Sequence, residues 1–233
     1  MVYRTGIWPS FLFPSPLGVL QNLSTGMQDL SILIAAQISM RRLLIGYSIS
    51  LLIGLLLGLL IDRVKYLDEA LSPLLLGVQT LPSICWLPLA ILWFGLGEEA
   101  IIFVIAIGSI FSISMAVVSG IKNVPPLFIR AAKTMGAKGW RSYTSVVIPA
   151  ALPSIVSGMK QGWSFAWRAL MAGELLTPTS GLGYLLVMGR DLHGMNQVVG
   201  IMVVIVIMGL VIDRLVFSRA ESAIRYRWGL TRS

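Results

Sequence analysis

The stretch LLIGYSISLLIGLLLGLLI (43–61) contains 19 residues and no charged side chain. A helix needs about 20 predominantly apolar residues to cross the roughly 30 Å of bilayer hydrocarbon, so this stretch predicts a transmembrane helix. Gly54 and Gly58 are four positions apart and therefore share one face of that helix. Small residues with this spacing let a neighbouring helix approach closely, and we expect such a contact here.

Four more apolar stretches follow toward the C-terminus, and we expect spans at 73–94, 100–121, 153–176 and 197–212. Pro73, Pro82 and Pro88 interrupt the first of these, which predicts a kinked or broken helix. Of all residues, 56% are hydrophobic and 12% are charged, whereas soluble domains contain about 25% charged residues. The sequence therefore predicts an all-α, polytopic membrane protein with about five transmembrane helices in the lipid bilayer.

The connections between spans carry most of the charge. We expect a short charged loop at 62–70, a tight turn at 95–99 with Glu98 and Glu99 exposed, and a Gly-rich loop at 177–196. Thirteen of the 18 basic residues lie in three segments on the same side of the predicted membrane, namely 62–70, 122–160 and the tail from residue 213. An excess of Lys and Arg marks the cytoplasmic side. We therefore expect a multi-pass membrane protein with a cytoplasmic C-terminus.

These expectations divide the chain into three regions. An extracytoplasmic or interfacial segment covers 1–42, a transmembrane domain covers 43–217, and a basic cytoplasmic tail covers 218–233. The net charge of +8 is interpreted as an orientation signal, because the basic residues flank spans, and no nucleic-acid partner is expected.

The cytoplasmic segment 122–152 has features beyond its charge. It overlaps the stretch RAAKTMGAKGWRSYTSVVIPAALP (130–153), in which Ala132 and Gly136 share a helix face. Gly136 can end a helix in the left-handed conformation, and Trp140 adds area of the kind found at interface hot spots. An ordinary basic loop would explain the charge alone. The small residues and the glycine instead predict a short helix–turn–helix that docks onto another protein.

This stretch resembles the EAA loop of bacterial ABC importer permeases: Glu-Ala-Ala, three residues, Gly, nine residues, Ile, one residue and Leu-Pro. The spacing is intact over 20 positions, although Arg130 replaces the Glu, and Val146 and Ile148 replace the Ile and Leu. The resemblance implies a cytoplasmic coupling helix on which an ATPase docks. It assigns the contact to Arg130, Ala131, Ala132, Met135, Gly136, Ala137, Val146, Ile148 and Pro149.

Other stretches are similar to one branch of that family, the permeases for nitrate, sulfonates, taurine and bicarbonate. They are LPSICWLPLAILWFGLGEE (81–99), VVIPAALPSIVSGMKQGW (146–163), AGELL with GLGYLL (172–186), and DRLVF followed by RYRWGL near the C-terminus. The resemblance implies a permease subunit for a small, anionic solute in the bacterial cytoplasmic (inner) membrane. It also implies a permease homodimer, ABC ATPase subunits that bind ATP and Mg²⁺, and an extracytoplasmic substrate-binding protein, with no cofactor in this chain.

Permeases of this family usually have six spans, and the first precedes the stretch matched here by FLFPSP (11–16). The count of five is therefore one fewer than the resemblance implies. A start codon assigned late and a version without the first span would both account for the difference.

Five residues within the predicted spans are candidates for the translocation pathway: Pro82, Trp86, Pro88, Arg168 and Glu174. A charge inside the membrane is costly and marks a functional site by default. Arg168 could attract an anion, or it could form a structural ion pair with Glu174 or with an acid on another helix. Glu174 could serve a gate or the packing, and the prolines could line a broken helix or only kink it.

Two other functions stay open as alternatives. An ATPase-independent secondary transporter or channel would need coupling carboxylates within the spans, and Glu174 is the one candidate. A membrane-embedded enzyme would need a reactive cluster, but the sequence has neither a GxxxxGK[ST] phosphate loop nor a recognisable triad, metal cluster or carboxylate pair. We therefore expect no enzymatic activity in this chain and ATP hydrolysis in a separate partner.

Overall fold

The computed structural model describes residues 14–227, and their regular structure is entirely helical, which confirms the all-α prediction. The α-helices of this part of the chain are α1 (Pro16–Gln28), α2 (Ser31–Arg63), α3 (Lys65–Gln79), α4 (Leu87–Phe94), α5 (Glu98–Lys122), α6 (Pro126–Thr134), α7 (Gly139–Ser142), α8 (Ile148–Leu176), α9 (Leu182–Asp191), α10 (Met195–Ile212) and α11 (Arg219–Arg227). A 3-10 turn at Ser83–Trp86 precedes α4. Wider π-helical turns at Tyr143–Val147 and Asp213–Ser218 connect α7 to α8 and α10 to α11.

Four helices among the described residues are long and apolar enough to cross a membrane: Ser31–Arg63, Glu98–Lys122, Gly139–Leu176 and Met195–Ile224. Lys65–Gln79 and Ser83–Phe94 make a fifth span if they are counted together, because they form a pair bent sharply at a short break. Pro82 lies in that break, whereas Pro73 lies inside α3 without ending it. The predictions of about five spans and of an interrupted second span are confirmed.

The first span is longer than its apolar stretch suggested. α2 begins at Ser31, so part of the predicted segment 1–42 belongs to the same helix as the stretch 43–61. Residues 1–13 and 228–233, which include other parts of the predicted N-terminal segment and of the basic tail, lie outside the described residues.

The loop expected at 62–70 was wrong. Only Val64 separates α2 from α3, and α3 begins at Lys65. Charged residues were taken as a sign of a loop, but Lys65 and Glu69 are four positions apart and form an exposed ion pair of 3.6 Å. Such i,i+4 pairs of opposite charge favour a solvated helix.

The Gly-rich loop expected at 177–196 was also wrong in its middle, because α9 occupies Leu182–Asp191. Leu182 is fully buried in a hydrophobic core, and this packing outweighs the low helix propensity of the neighbouring glycines. The turn expected at 95–99 is shorter than predicted, since α5 already begins at Glu98.

The chain packs as two compact units. Of the described residues, unit 1 comprises 14–46, 83–105 and 167–211, and unit 2 comprises 47–82, 106–166 and 212–227. The core of unit 1 includes Ile32, Ala35, Leu182 and Ile201. The main core of unit 2 includes Val117, Ile121, Val124, Val147, Ala151 and Ile155.

The close contact expected at Gly54 and Gly58 is present in unit 2. A Cβ atom on Gly54 would lie 2.9 Å from the Cβ of Ile113, and one on Gly58 would lie 2.6 Å from the Cβ of Val117. The Ser114 hydroxyl donates a hydrogen bond of 3.1 Å to the carbonyl oxygen of Gly54. α2 and α5 therefore approach each other so closely that larger side chains at these glycines would force the helices apart.

Candidate functional site

The docking segment, which we define as residues 122–152, forms the predicted helix, turn and helix. α6 ends at a turn in which Gly136 has a φ angle of +86°. The Gly136 N–H donates to the carbonyl oxygen of Lys133 at 3.0 Å, and the Ala137 N–H donates to that of Ala132 at 2.9 Å. These two bonds form a Schellman helix end. The predicted left-handed helix end at Gly136 is confirmed, and side chains other than glycine would be strained there.

The predicted docking residues differ in how accessible they are. Ala132 is only 2% exposed, so it supports α6 from the inner side, whereas Arg130 and Ala131 are exposed. Met135, at the turn, is 81% exposed. Four more of the predicted docking residues are half-buried: Ala137, Val146, Ile148 and Pro149. The outer face of α6 and the turn after it are therefore the parts of the docking segment that a partner can contact.

Four residues, which we call the aromatic clamp, join the docking segment to the end of α2: Asp62, Arg63, Trp140 and Tyr143. The Tyr143 hydroxyl donates a hydrogen bond of 2.8 Å to Oδ2 of Asp62. The guanidinium carbon of Arg63 lies 5.3 Å from the Trp140 ring centre and 5.4 Å from that of Tyr143. The two rings stack with their centres 5.9 Å apart. Cation–π contacts at exposed sites contribute about 0.5–1 kcal/mol each, so the clamp holds the segment with modest strength.

A second link joins the start of the docking segment to α3. Lys122 Nζ lies 2.6 Å from Oδ1 of Asp68, which also accepts a hydrogen bond of 2.8 Å from the Ser72 hydroxyl. The Lys122 side chain is half exposed, and ion pairs of this kind are screened by water and salt. The Lys122–Asp68 pair therefore orients the segment more than it stabilises the fold.

Unit 1 contains a second cluster of charges, which is buried and is centred on Glu174. This carboxylate is 0% exposed and lies 3.0 Å from Nη1 of Arg42. It also accepts hydrogen bonds of 2.8 Å from the Ser39 hydroxyl and of 3.0 Å from the Gly183 N–H. Glu174 is thus compensated by one positive charge and by polar donors from α2 and α9. We call Ser39, Arg42, Glu98 and Glu174 the buried charge network.

Arg42 extends this network to α5 and to the segment before α9. Its Nη2 lies 3.0 Å from Oε1 of Glu98, and its Nη1 donates to the carbonyl oxygen of Ser180 at 2.5 Å. Glu98 also pairs with the exposed Arg41. The Nε of Arg42 finds no hydrogen-bond partner within residues 14–227. Removing one member of a buried pair leaves the other charge uncompensated, so the network fixes the helices of unit 1 that it joins.

The network identifies an ion partner for Glu174, a point that the sequence left open. The partner is Arg42 on α2, while Arg168 is exposed on α8. Arg42 was not a candidate, because it immediately precedes the apolar stretch 43–61 and was interpreted as a flanking charge. The place of Glu98 between two spans predicts an exposed turn residue. The structure instead shows Glu98 half-buried in the network. Opposite charges at the ends of two spans were the only available signal, and the pairing itself depends on the fold.

The remaining candidate pathway residues lie around the break before α4. Pro82 is exposed in the break, Trp86 is half-buried at the end of the 3-10 turn, and Pro88 is exposed in the first turn of α4. Pro82 belongs to unit 2, whereas Trp86 and Pro88 belong to unit 1. The structure therefore accounts for the helix interruption, and a role of these three residues in transport stays a prediction.

The long apolar helices define a multi-span membrane protein, and comparison with known proteins gives its family. Residues 50–218 match the family described as the binding-protein-dependent transport system inner membrane component. The chain belongs to this family and is a multi-pass permease subunit of an ABC importer. Members of the family are transport subunits, and they work with ATPase and substrate-binding protein partners.

Several curated relatives are similar over most of the chain. An ABC transporter permease protein of Methanocaldococcus jannaschii is 38% identical over 76% of this chain and 67% of that protein. The aliphatic sulfonates transport permease protein SsuC of Bacillus subtilis is 27% identical over 95% of this chain and 80% of that protein. The taurine transport system permease protein TauC of Escherichia coli is 29% identical over 89% of this chain and 77% of that protein. The resemblance to this branch of ABC importer permeases is confirmed.

A solved structure shows the same fold. A chain of the MetNI methionine ABC transporter in an inward-facing conformation aligns with a TM-score of 0.71 over 83% of this chain and 96% of that chain. The two sequences are 20% identical, so this likeness concerns the fold alone.

Proposed function

We propose that this ABC importer permease subunit forms the translocation pathway for a small anionic solute of the sulfonate, taurine, nitrate or bicarbonate type. A separate ATPase subunit docks on the segment 122–152 and supplies the energy. ATP and Mg²⁺ are bound by that partner, and this chain carries no cofactor of its own. The chain acts as a homodimer together with an extracytoplasmic substrate-binding protein.

The observation that best supports docking is the exposed turn that follows α6. Its shape is fixed by the two hydrogen bonds at Gly136 and Ala137, so a rigid partner can recognise it without ordering it first. An exposed methionine, Met135, lies beside the turn and offers an adaptable apolar contact. The spacing of small residues that resembles the EAA loop falls on the same turn.

The contacts of unit 2 support a mechanical coupling. When ATP binding moves the ATPase, the docking segment moves with it as a body. The aromatic clamp passes the displacement to α2, and the Lys122–Asp68 pair passes it to α3. α7 and the π-helical turn at Tyr143–Val147 lead directly into α8. Movement of packed helices as rigid bodies is the usual way in which such a signal changes the accessibility of a distant site.

The excess of basic residues supports the orientation that goes with this mechanism. The proposed regions are an extracytoplasmic or interfacial segment at 1–42, a transmembrane domain at 43–217 and a basic cytoplasmic tail at 218–233, with the docking segment also cytoplasmic. The pairing of Glu174 with Arg42 weighs against the alternative, an ATPase-independent transporter, because it neutralises the one carboxylate that such a transporter would use for coupling.

The names of two relatives, a sulfonate permease and a taurine permease, support the solute class. The test is uptake into liposomes that contain this chain, its ATPase and its binding protein. We expect ATP-dependent accumulation of labelled taurine, ethanesulfonate, nitrate or bicarbonate, and none with a non-hydrolysable ATP analogue. Equal uptake without ATP would support the secondary transporter. Failure to accumulate any of these anions would refute the proposed solute class.

A further inference from the structure

Unit 2 contains a cavity of about 760 Å³ between α3, α5 and α8. Twelve residues line this cavity, and none of them is charged. Its polar side chains include three amides and two hydroxyls: Gln79, Ser112, Asn123, Ser154 and Gln161. None of these five was singled out by the sequence patterns, because each type is common and they come from three helices.

The helical spacing places these groups on facing surfaces. On α5, the lining begins at Ser112 and continues to Asn123 just beyond the helix end, a distance of about 16 Å at 1.5 Å per residue. On α8, it extends from Pro153 to Gln161. The two helices approach closely beside the cavity, since a Cβ atom on Gly158 would lie 1.9 Å from the Cβ of Ala116. The cavity is thus an elongated groove along two tightly packed spans.

The hydrogen-bonding state of the lining leaves donors available. The hydroxyls of Ser119 and Ser157 donate to backbone carbonyls of their own helices, at 2.7 and 3.0 Å. Within residues 14–227, by contrast, the side chains of the five residues named above make no hydrogen bond. Each amide has two N–H donors and each hydroxyl has one. The groove therefore presents a set of neutral donors that need a partner.

The membrane restricts what that partner can be. Polar groups that face hydrocarbon without hydrogen bonds are costly, so the groove holds water or a polar solute, or is covered by protein. Sites for divalent cations are built around carboxylates, and the lining has none, although its amides also carry carbonyl oxygens. Anions of strong acids stay ionised and need donors alone, which hydroxyl and amide groups supply.

We propose that this cavity, which we call the polar groove, is a transit site for the oxyanion group of the transported solute. The oxygens of the oxyanion group accept hydrogen bonds from the hydroxyls of Ser112 and Ser154 and from the amides of Gln79, Asn123 and Gln161. This inference rests on the proposed function, because it takes the anionic solute from there. The absence of a charged residue from the lining makes the binding weak, so the solute is released rather than trapped.

The polar groove also ends where release would occur. Asn123 directly follows Lys122, the last residue of α5, and α6 of the docking segment begins at Pro126. In the proposed orientation this end faces the cytoplasm. The groove would therefore carry the solute over the inner part of its path, next to the segment that the ATPase moves.

The first test changes the charge of one lining residue. In the uptake assay, Gln161→Glu should lower the rate for taurine or ethanesulfonate about tenfold or more, because the added negative charge repels the anion at close range. Gln161→Met, which has a similar length and no charge, should lower it about two- to fivefold through lost hydrogen bonds. Gln37→Glu, at an exposed glutamine of α2, is the matched control and should resemble wild type. Equal effects of Gln161→Glu and Gln161→Met would overturn the proposal.

The second test needs no transport. The variant is Ser154→Cys in a Cys85→Ser background, in membrane vesicles. Its thiol is allowed to react with a methanethiosulfonate that carries either an ethylsulfonate or a trimethylammonium group. The ratio of the anionic to the cationic rate should be higher at this thiol than at Ser222→Cys on α11, which serves as the reference. A preference of about fivefold or more is expected from one favourable ion–dipole environment. Equal relative rates, or a preference for the cation, would refute the polar groove as an anion site. Labelling with the expected preference but no ATP-dependent uptake by wild type would refute the proposed function alone.

Discussion

The two charged regions of this permease are built in opposite ways. In the docking segment of unit 2, charges are exposed and are held by aromatic rings and single hydrogen bonds. In the buried charge network of unit 1, Arg42 and Glu174 are almost completely withdrawn from solvent. Glu174 accepts hydrogen bonds from a hydroxyl and a backbone N–H, and Arg42 donates to a backbone carbonyl oxygen. The first arrangement leaves a surface that a partner can bind and displace. The second fixes the positions of the helices that it joins.

The energies follow from this difference. A buried ion pair that loses one member costs several kcal/mol, because the remaining charge is left in a medium of low polarity. An exposed contact changes stability little, because water replaces the lost partner. Substitutions in the buried charge network should therefore reduce the amount of folded protein, whereas substitutions in the docking segment should alter coupling while leaving the fold intact.

The largest effect is expected for Glu174→Gln. The change keeps the shape of the side chain but removes the negative charge opposite Arg42. The free energy of unfolding should fall by about 3 kcal/mol, the low end of the loss for a broken buried pair, because Arg42 keeps Glu98 as a second partner. The measurement is the thermal unfolding of the detergent-solubilised protein. Glu69→Gln is the matched control, because Glu69 also pairs with a basic residue but is exposed, and it should not move the transition. Similar shifts in both variants would remove the contrast between buried and exposed charges.

An intermediate effect is expected for Tyr143→Phe in the aromatic clamp. It deletes the hydrogen bond to Asp62 and keeps the ring beside Arg63, so stability should fall by about 1 kcal/mol. The functional consequence should be larger, because the docking segment is less firmly joined to α2. The readout is the stimulation of ATP hydrolysis by the loaded binding protein in the full complex, compared with Tyr66→Phe at an exposed tyrosine. Unchanged stimulation in Tyr143→Phe would show that the clamp does not transmit the movement.

The smallest effect is expected for Lys122→Gln. Its partner Asp68 lies at a solvated site, so the unfolding transition should not shift measurably. Uptake should fall by less than about twofold at low ionic strength, and the difference from wild type should disappear in about 1 M salt, where charges are screened within about 3 Å. A large loss of uptake that persists in high salt would show that this exposed pair does more than orient the segment.

The contrast also explains what the sequence could predict. The membrane spans, the close packing at Gly54 and the helix end at Gly136 follow from contiguous patterns of apolar and small residues, and all three are present. The docking motif could be found because its spacing lies within 20 consecutive positions. Sequence-local patterns of this kind are interpretable without knowledge of the fold.

The buried charge network could not be found in this way. Ser39, Arg42, Glu98 and Glu174 come from three helices that are distant in sequence, and flanking charges at span ends are usually exposed. The first part of the helix at 65–79 and the whole helix at 182–191 were missed for a related reason. The first packs through Leu75 into one hydrophobic core and the second through Leu182 into another, and neither contact is apparent from the content of charged residues and glycines.

Retention of the ATPase by the purified permease tests the central claim most directly. Gly136 and Gly95 are matched positions: their φ angles are +86° and +79°, and a Cβ atom on either would meet no atom within 4 Å. Gly136→Trp and Gly95→Trp therefore introduce the same bulk at the docking turn and at an unrelated turn. Gly95→Trp carries at least as much backbone strain, because the ψ angle of −176° at Gly95 belongs to a region that essentially only glycine adopts. The account predicts that the ATPase co-purifies with wild type and with Gly95→Trp, and is lost from Gly136→Trp although that variant is membrane-inserted. Undiminished retention by Gly136→Trp would contradict docking on the segment 122–152.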